Sequence, residues 1–418
     1  MSNDSLYLIF FGGLIPLIFI AYMIGKNKAQ VISNKGIHIN SQPEQYGWFT
    51  ALYTGLPVIM LLVTVMFLYL FGLKSVPPML IVISSLALGA ISLIFVVKRL
   101  SPTTKARDSI ESFIRIVLIF ASLISVLTTF GILFSIIFES IHFFQRESFF
   151  GFIFGTDWNP DTAFLEGAGR ATEGVAQAQF GAVPIFAGTF YITLIAMAVA
   201  VPIGILSAVF MSEYASKKVR NTIKPTLEIL AGIPTVVYGF FAAITVAPFI
   251  VNVFSALGID ASYRSALGAG VVMGIMIIPI ISSLSDDVIS SVPQNIRNGS
   301  LALGMNKAET IMFVVIPSAM PGIIAAVLLG ISRALGETMI VVMAASLRPN
   351  LTMNPLEDMT TVTVKIVESL VGDQEFDSSL TLSAFALGLV LFVVTLIINI
   401  ISITTIRKFH QKYKISNL

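Results

Sequence analysis

One stretch of the sequence places a cation and an anion inside an otherwise apolar segment. In the string SRALGET, Arg333 and Glu337 are spaced so that a continuous helix would bring both side chains to one face. Arg333 would lie roughly 20 Å along that helix from its start near Ala319. An arginine at such depth costs at least about 2.5 kcal/mol unless it faces protein or water. Its guanidinium group offers a planar fork of donors that matches an oxyanion.

Two interpretations of this pair remain open at the level of sequence. It could be an internal ion pair that locks two helices, or a polar station on the path of a transported anion. In the second case Arg333 binds the oxygens, while Glu337 neutralises the arginine or accepts a proton from the anion. Phosphate at neutral pH carries such a proton, and fully deprotonated sulfate does not. Hydroxyl groups that could also line the path, each with a structural alternative, are those of Thr189, Thr193 and Tyr238.

The composition is that of a helical membrane protein. Of 418 residues, 56% are hydrophobic and only 11% are charged, against about 25% charged residues in soluble proteins. The mean hydropathy is +0.91. A soluble enzyme and a disordered scaffold are thereby excluded. Cysteine is absent and the three histidines lie outside the apolar runs, so neither a catalytic residue nor a metal site is predicted.

Nine apolar segments are long enough to cross a bilayer. Most lysines and arginines of the connections follow the odd-numbered segments, so the positive-inside rule places those connections in the cytoplasm. The N-terminus is then outside and the C-terminus inside. The first segment lacks a cationic leader region, so we expect a retained helix there. The nine segments are 6–25, 51–72, 79–97, 113–138, 184–211, 229–254, 266–284, 319–347 and 380–406.

Small residues divide the chain into two parts. Helices in lipid associate through flat faces of small side chains, and such residues recur at every fourth position in segments five and eight, whereas segments one to three have no sustained run. We therefore predict an N-terminal three-helix extension, 1–112, before a tightly packed core, 113–418. The repeated small residues are Ala196, Ala200, Gly204 and Ala208, and Gly322, Ala326, Gly330 and Ala334.

The cytoplasmic loop 286–318 carries a second signal. It is amphipathic, contains Gly304, and ends in an aliphatic run and Pro317 ahead of a membrane helix. A short helix, a glycine break and a second helical stretch would form a protruding elbow that could insert into a groove of a cytoplasmic motor. A plain connecting loop is the alternative.

Several strings in the same order resemble a known family. One of them resembles the cytoplasmic EAA loop of ABC importer permeases. Its pattern is a glycine followed by nine residues, an aliphatic residue, any residue, an aliphatic residue and proline. With the other strings, the chain is most similar to the C-type permease of Pst-type high-affinity phosphate importers. In place of Glu-Ala-Ala this loop has Asn298, Gly299 and Ser300, and the first three helices have no counterpart in the six-helix core. The further matching strings lie at 155–160, 180–215, 227–242 and 332–339.

The resemblance implies an all-helical permease subunit in the bacterial cytoplasmic (inner) membrane. Its implied partners are a second homologous permease, a dimer of a cytoplasmic ATPase and an external phosphate-binding protein, with no nucleic acid. Residues 298–300, Gly304 and Pro317 would contact the ATPase. The chain has no phosphate-binding Gly-x-x-x-x-Gly-Lys-[Ser/Thr] loop, so we expect no cofactor in it and ATP hydrolysis by the partner.

Other functions remain as alternatives. A permease for another oxyanion fits the same residues. A proton-coupled anion carrier usually needs several titratable groups along its route and often two related halves, whereas Glu337 is the one carboxylate deep inside a predicted segment. An intramembrane enzyme lacks a suitable nucleophile, base or metal-ligand spacing.

Overall fold

The computed structural model describes residues 3–70, 77–160, 179–371 and 378–414, nearly all of them helical. The chain forms two compact units, Met1–Gly131 and Ile132–Leu418. Their boundary lies inside the helix Ala106–Arg146. The proposed extension 1–112 and core 113–418 meet in the same helix, whose apolar sequence runs through without a break.

The first unit is built from three helices and the first part of a fourth, namely α1 (Asn3–Asn34), α2 (Pro43–Leu70), α3 (Pro78–Arg99) and α4 (Ala106–Arg146). Helices α1 and α2 approach closely at Gly25, where a Cβ atom would lie 2.6 Å from the backbone oxygen of Tyr46. The hydroxyl group of Tyr46 lies 3.0 Å from the backbone oxygens of Pro102 and Thr104, which fastens the loop after α3 to α2.

The second unit continues from α4 through a short helix and a pair of two-residue strands into the remaining helices. Wider π-helical turns directly follow three of these helices, at Phe210–Tyr214, Ala242–Val246 and Ile311–Val315. The elements are α5 (Phe149–Phe154), the antiparallel β1 (Trp158–Asn159) and β2 (Gln179–Phe180), α6 (Val183–Val209), α7 (Lys217–Ala231), α8 (Thr235–Phe241), α9 (Ala247–Ala256), α10 (Ala266–Ser290), α11 (Gln294–Ala302), α12 (Lys307–Thr310), α13 (Ile316–Leu335), α14 (Met339–Ala344), α15 (Val362–Leu370) and α16 (Ser379–Lys414).

Helix α10 lies at the centre of the second unit, between α6 and α13. A Cβ atom at Gly274 would lie 2.7 Å from the backbone oxygen of Ala196, so only glycine allows α6 and α10 this close. At Gly204 a Cβ atom would come 2.9 Å from Ile281, and at Gly322 it would come 2.4 Å from a side chain of α10. The prediction that the small-residue faces of segments five and eight are helix interfaces is confirmed.

The described helices agree with the predicted spans. Eight helical stretches in the described part of the chain are long and apolar enough to cross a membrane. They correspond to predicted segments two to nine, and α1 contains the first segment. The protein is therefore a nearly all-helical, multi-pass membrane protein with roughly nine spans.

Two predicted segments have different ends in the structure. Segment eight, 319–347, is interrupted, because α13 ends at Leu335 and α14 is a separate short helix. Segment six, 229–254, starts later, because Ile229 belongs to the amphipathic α7 and the membrane helix begins at Thr235. Pro234 separates the two, since a residue before proline avoids the helical conformation. An apolar run alone does not reveal such breaks.

Candidate functional site

Arg333 lies in the last turn of α13, where the free carbonyl groups of a helix favour a cation. Its side chain is exposed, and its Nε–H group donates to the sulfur of Met276 on α10 at 3.4 Å. A thioether is only a weak acceptor. The other N–H groups of this guanidinium have no acceptor among the described residues. Arg333 therefore has several donors available for an oxyanion.

Glu337 lies in the break between α13 and α14. The expectation that Arg333 and Glu337 share one face of a continuous helix is wrong, because α13 ends at Leu335. The carboxylate accepts a hydrogen bond from the backbone N–H of Ile340 at 3.4 Å, and Glu337 is only 8% exposed. Within the described ranges no salt bridge joins it to Arg333. Arg333 thus lies just before a stretch of non-helical backbone that contains Glu337. Such backbone occurs at membrane depth where it is buried in protein or lines a cavity.

Hydroxyl groups connect this break to the start of α15 and to α6. The Thr363 hydroxyl donates to the backbone oxygen of Glu337 at 2.9 Å. The Thr189 hydroxyl of α6 accepts a hydrogen bond from the N–H of Val362 at 2.9 Å and donates to the backbone oxygen of Ile185 at 2.8 Å. Two of the predicted path residues, Thr189 and Glu337, are therefore joined through neighbouring residues of α15. Sequence reasoning missed Thr363, although the hydroxyl-rich string TTVT was a signal.

The other two predicted path hydroxyls have different surroundings. Tyr238 is 9% exposed and donates its hydroxyl to the backbone oxygen of Leu230 at 2.9 Å, across the break between α7 and α8. Thr193 is 7% exposed and borders an apolar cavity of about 720 Å³ beside α13. The hydroxyl of Tyr238 is thus engaged with backbone, while Thr193 faces open space. The cavity is lined further by Ala187, Phe190, Tyr191, Leu194, Met197, Ile331, Leu351, Thr352 and Met353.

Replacing Thr189 by valine is expected to lower the free energy of unfolding by about 1–2 kcal/mol, because the buried N–H of Val362 loses its acceptor. Thermal unfolding of the purified protein in detergent checks this. Thr193→Val is the matched control: it is also buried but has no comparable hydrogen bond among the described residues, so its unfolding temperature should stay near that of the parent. Equal melting temperatures for both variants would contradict the assigned role of Thr189.

Loop 286–318 has the predicted arrangement of a helix, a glycine and a second helix. Helix α11 ends at Ala302, and Gly304 has φ +89°, in the left-handed region that favours glycine. The side chains and backbone of Asn306 and Glu309 then form a capping box at the start of α12. We call residues 294–310 the elbow. Open space surrounds its tip, since a Cβ atom at Gly304 would meet nothing within 4 Å.

The predicted ATPase-contact residues differ in accessibility. Asn298 is exposed and accepts a hydrogen bond from the Gln294 side chain at 3.2 Å, and a Cβ atom at Gly299 would meet nothing within 4 Å. Ser300 is 5% exposed and its hydroxyl lies 2.8 Å from that of Thr310, so it joins the two arms of the elbow. Pro317 lies in the first turn of α13, beyond the elbow.

A buried carboxylate that sequence reasoning missed fastens α7 to α10. Asp286 is fully buried, and its Oδ2 atom lies 2.9 Å from Arg220 Nη2 and 3.1 Å from Lys224 Nζ. Lys224 also pairs with Asp287 at 2.5 Å. The hydrogen bond to Asp287 raises the pKa of Lys224 above its usual value, so Lys224 stays charged at neutral pH. The one-turn spacing of the two cations on α7 and the Asp-Asp string were the available signals.

Comparisons with known proteins agree with this architecture. Residues 200–412 match the family described as the inner membrane component of binding-protein-dependent transport systems. Residues 13–71, which include most of α1 and α2, match a second family, described as phosphate ATP-binding cassette transporter.

The alignments with individual relatives cover most of the length of each relative. The probable ABC transporter permease protein YqgH of Bacillus subtilis is 33% identical over 244 residues, which are 58% of this chain and 73% of that protein. The phosphate transport system permease protein PstC 1 of Mycobacterium tuberculosis is 33% identical over 277 residues, which are 62% of this chain and 81% of that protein. The corresponding PstC of Mesorhizobium japonicum is 33% identical over 274 residues, 61% and 78% of the two chains.

Proposed function

Since the chain belongs to the family of inner membrane components of binding-protein-dependent transport systems, we propose that its exposed Arg333 binds phosphate during passage through the membrane. The chain is a permease subunit of a phosphate ABC importer. The observation that carries the proposed role of Arg333 is its set of N–H groups without an acceptor in the described part of the chain.

An exposed arginine on a membrane helix requires water or a protein partner, because lipid does not solvate it. Arg333 lies just before the break after α13, and that break holds the buried carboxylate of Glu337. Guanidinium groups bind phosphate oxygens through paired, charge-assisted hydrogen bonds. Glu337 limits the net positive charge of the station, and its carboxylate can accept a hydrogen bond from the P–OH group of monohydrogen phosphate. Thr189, Thr193 and Tyr238 are the proposed further path residues.

The partners follow from the same family membership. We propose that a second, homologous permease supplies the other half of the path, that two copies of a cytoplasmic ATPase hydrolyse ATP, and that an external binding protein delivers phosphate. The chain itself would need no cofactor. We further propose a location in the bacterial inner membrane with the N-terminus outside and the C-terminus in the cytoplasm, as the distribution of basic residues indicates.

The elbow is the proposed contact with the ATPase. Gly304 at its tip is exposed and a Cβ atom there would meet nothing within 4 Å, and the exposed Asn298 and Gly299 both lie on α11. A protruding helix pair of this shape can enter a groove of a partner. Ser300 and Pro317 would hold the elbow in shape rather than touch the motor, because one joins its two arms and the other begins α13.

Glu337→Gln is expected to lower phosphate uptake at least about tenfold, because glutamine keeps the size and an acceptor oxygen but loses the negative charge, and with it the charge-assisted hydrogen bond from the phosphate hydroxyl. The uptake rates of phosphate and of sulfate are measured in proteoliposomes that contain the reconstituted importer and enclose ATP on the side of the ATPase. Assembly with the partner subunits, measured by co-purification, should remain normal.

Asp260→Asn is the control for this experiment, since Asp260 is an exposed carboxylate between α9 and α10. It should transport phosphate like the parent. An unchanged rate in Glu337→Gln would reduce the carboxylate to a structural element of the break. If the parent protein takes up sulfate in preference to phosphate, the substrate is another oxyanion.

A further inference from the structure

Both arms of the elbow hold the same short segment at the cytoplasmic end of α6. That segment is the π-helical turn Phe210–Tyr214. Arg297, from the first arm, donates through Nη1 to the carboxylate of Glu213. Lys307, from the second arm, donates to the backbone oxygen of Glu213 at 2.5 Å, and its Nζ atom lies 4.8 Å from the ring centre of Tyr214. A cation from each arm therefore contacts Glu213, and the cation of the second arm also contacts Tyr214.

Arg297 also contacts the end of α10. Its Nη2 atom donates to the backbone oxygen of Ile289 at 2.7 Å, and its Nε atom lies 3.4 Å from that of Val292. A cation at a helix C-terminus is favourable because the last carbonyl groups are unpaired. The side chains of Arg297 and Glu213 are only 12% and 9% exposed. Neither charge can easily lose its partner in such a position, so α6, α10 and α11 are joined at one point.

The two helices held in this way reach the proposed phosphate station. Helix α6 and its π-turn form one continuous stretch, Val183–Tyr214, which carries Thr189 near its external end. Helix α10 carries Met276, the contact of Arg333. The two helices pack backbone to backbone at Gly274, so they cannot slide independently. A displacement of the elbow is thus passed along rigid elements.

We propose that Arg297, Lys307 and Glu213 are positioning residues that transmit movement of the elbow to α6 and α10, and so link ATP hydrolysis to phosphate movement. This inference rests on the proposed function, because the elbow must receive the movement from the ATPase. It is distinct from the Asp286 cluster, whose ion pairs join α7 to α10. It predicts that loss of these contacts uncouples the two activities.

The test measures ATP hydrolysis and phosphate uptake in the same proteoliposomes, with the complete importer and the external binding protein. In Glu213→Gln, the ATPase should still co-purify, because the elbow tip is unchanged. The number of phosphate ions taken up per ATP hydrolysed should fall at least about fivefold. The matched control is Glu228→Gln, which removes a carboxylate from exposed α7 on the same side of the membrane and should leave this ratio at the parental value.

Lys307→Met provides a second variant that leaves the buried Arg297 and Glu213 pair intact, in case Glu213→Gln fails to assemble. The number of phosphate ions taken up per ATP should also fall in this variant. In the double variant, Glu213→Gln with Lys307→Met, the fold loss of this ratio should be smaller than the product of the two single losses, because both cations act on one turn. An unchanged ratio, or equal losses of hydrolysis and uptake, would overturn the inference. If the parental importer does not transport phosphate, or if the elbow does not bind the ATPase, the proposed function fails instead.

Discussion

Arg333→Ala is expected to abolish phosphate uptake, with a loss of at least about 100-fold, while the protein remains in the membrane. Two charge-assisted hydrogen bonds to an oxyanion are worth about 3–6 kcal/mol in total, which corresponds to that factor or more. The structural cost should be small, since the side chain is exposed and its one described hydrogen bond is to the Met276 sulfur. Uptake of labelled phosphate, with the amount of protein in the membrane fraction, measures both quantities.

Two further variants define the chemistry at this position. Arg264→Ala removes an exposed arginine ahead of α10 and should leave uptake unchanged. Arg333→Lys keeps the positive charge but loses the planar fork of donors, so it should restore only part of the activity. Normal uptake in Arg333→Ala would remove this residue from the path. Full activity of Arg333→Lys would reduce its role to charge alone.

Gly304→Trp is expected to prevent stable association with the ATPase. The φ angle of +89° strains any residue with a Cβ atom, and the indole ring would project from the tip of the elbow into space that is open in the structure. Both effects alter the surface that would enter the motor. Co-purification of the ATPase with a tagged permease measures the association, and the yield should fall at least about tenfold.

The structure offers a closely matched control in the first unit. Gly36 also has a positive φ, +75°, and a Cβ atom there would meet nothing within 4 Å. Gly36→Trp therefore introduces the same ring and a similar strain at another connection on the predicted cytoplasmic side, and co-purification should be normal. Gly304→Ala separates strain from bulk, because it introduces the strain alone. Full recovery of the ATPase with Gly304→Trp would contradict docking through the elbow.

The functional residues were predicted with unequal success. The cost of a charge in an apolar segment is a local property, so Arg333 and Glu337 could be found from their surroundings in the chain. Their relation to each other could not, because the break after Leu335 depends on the packing of α14 against α8, where a Cβ atom at Gly239 would lie 3.1 Å from the backbone oxygen of Met339. A helical pattern of residue types predicts a continuous helix unless glycine or proline clearly interrupts it.

The contacts between the elbow and the end of α6 were missed for a different reason. Glu213 and Arg297 are far apart in the chain, and each alone has the appearance of an ordinary charge in a solvated loop. Only the approach of the elbow to the π-turn after α6 brings them together and buries them. The shape of the elbow itself was predictable, because the left-handed glycine and the capping residues act within a few positions of one another.

The sequence by itself determined the membrane class, the positions of most spans, the small-residue faces of α6 and α13, and the identity of the cation in the apolar segment. These properties follow from the transfer of side chains into lipid and from helical periodicity, both of which act over short stretches of chain. Tertiary structure alone decided that Glu337 lies in a helix break just after Arg333, and that Arg297 joins α11 to Glu213 after α6 and to the end of α10. These contacts depend on how distant helices pack, and no local pattern encodes that geometry.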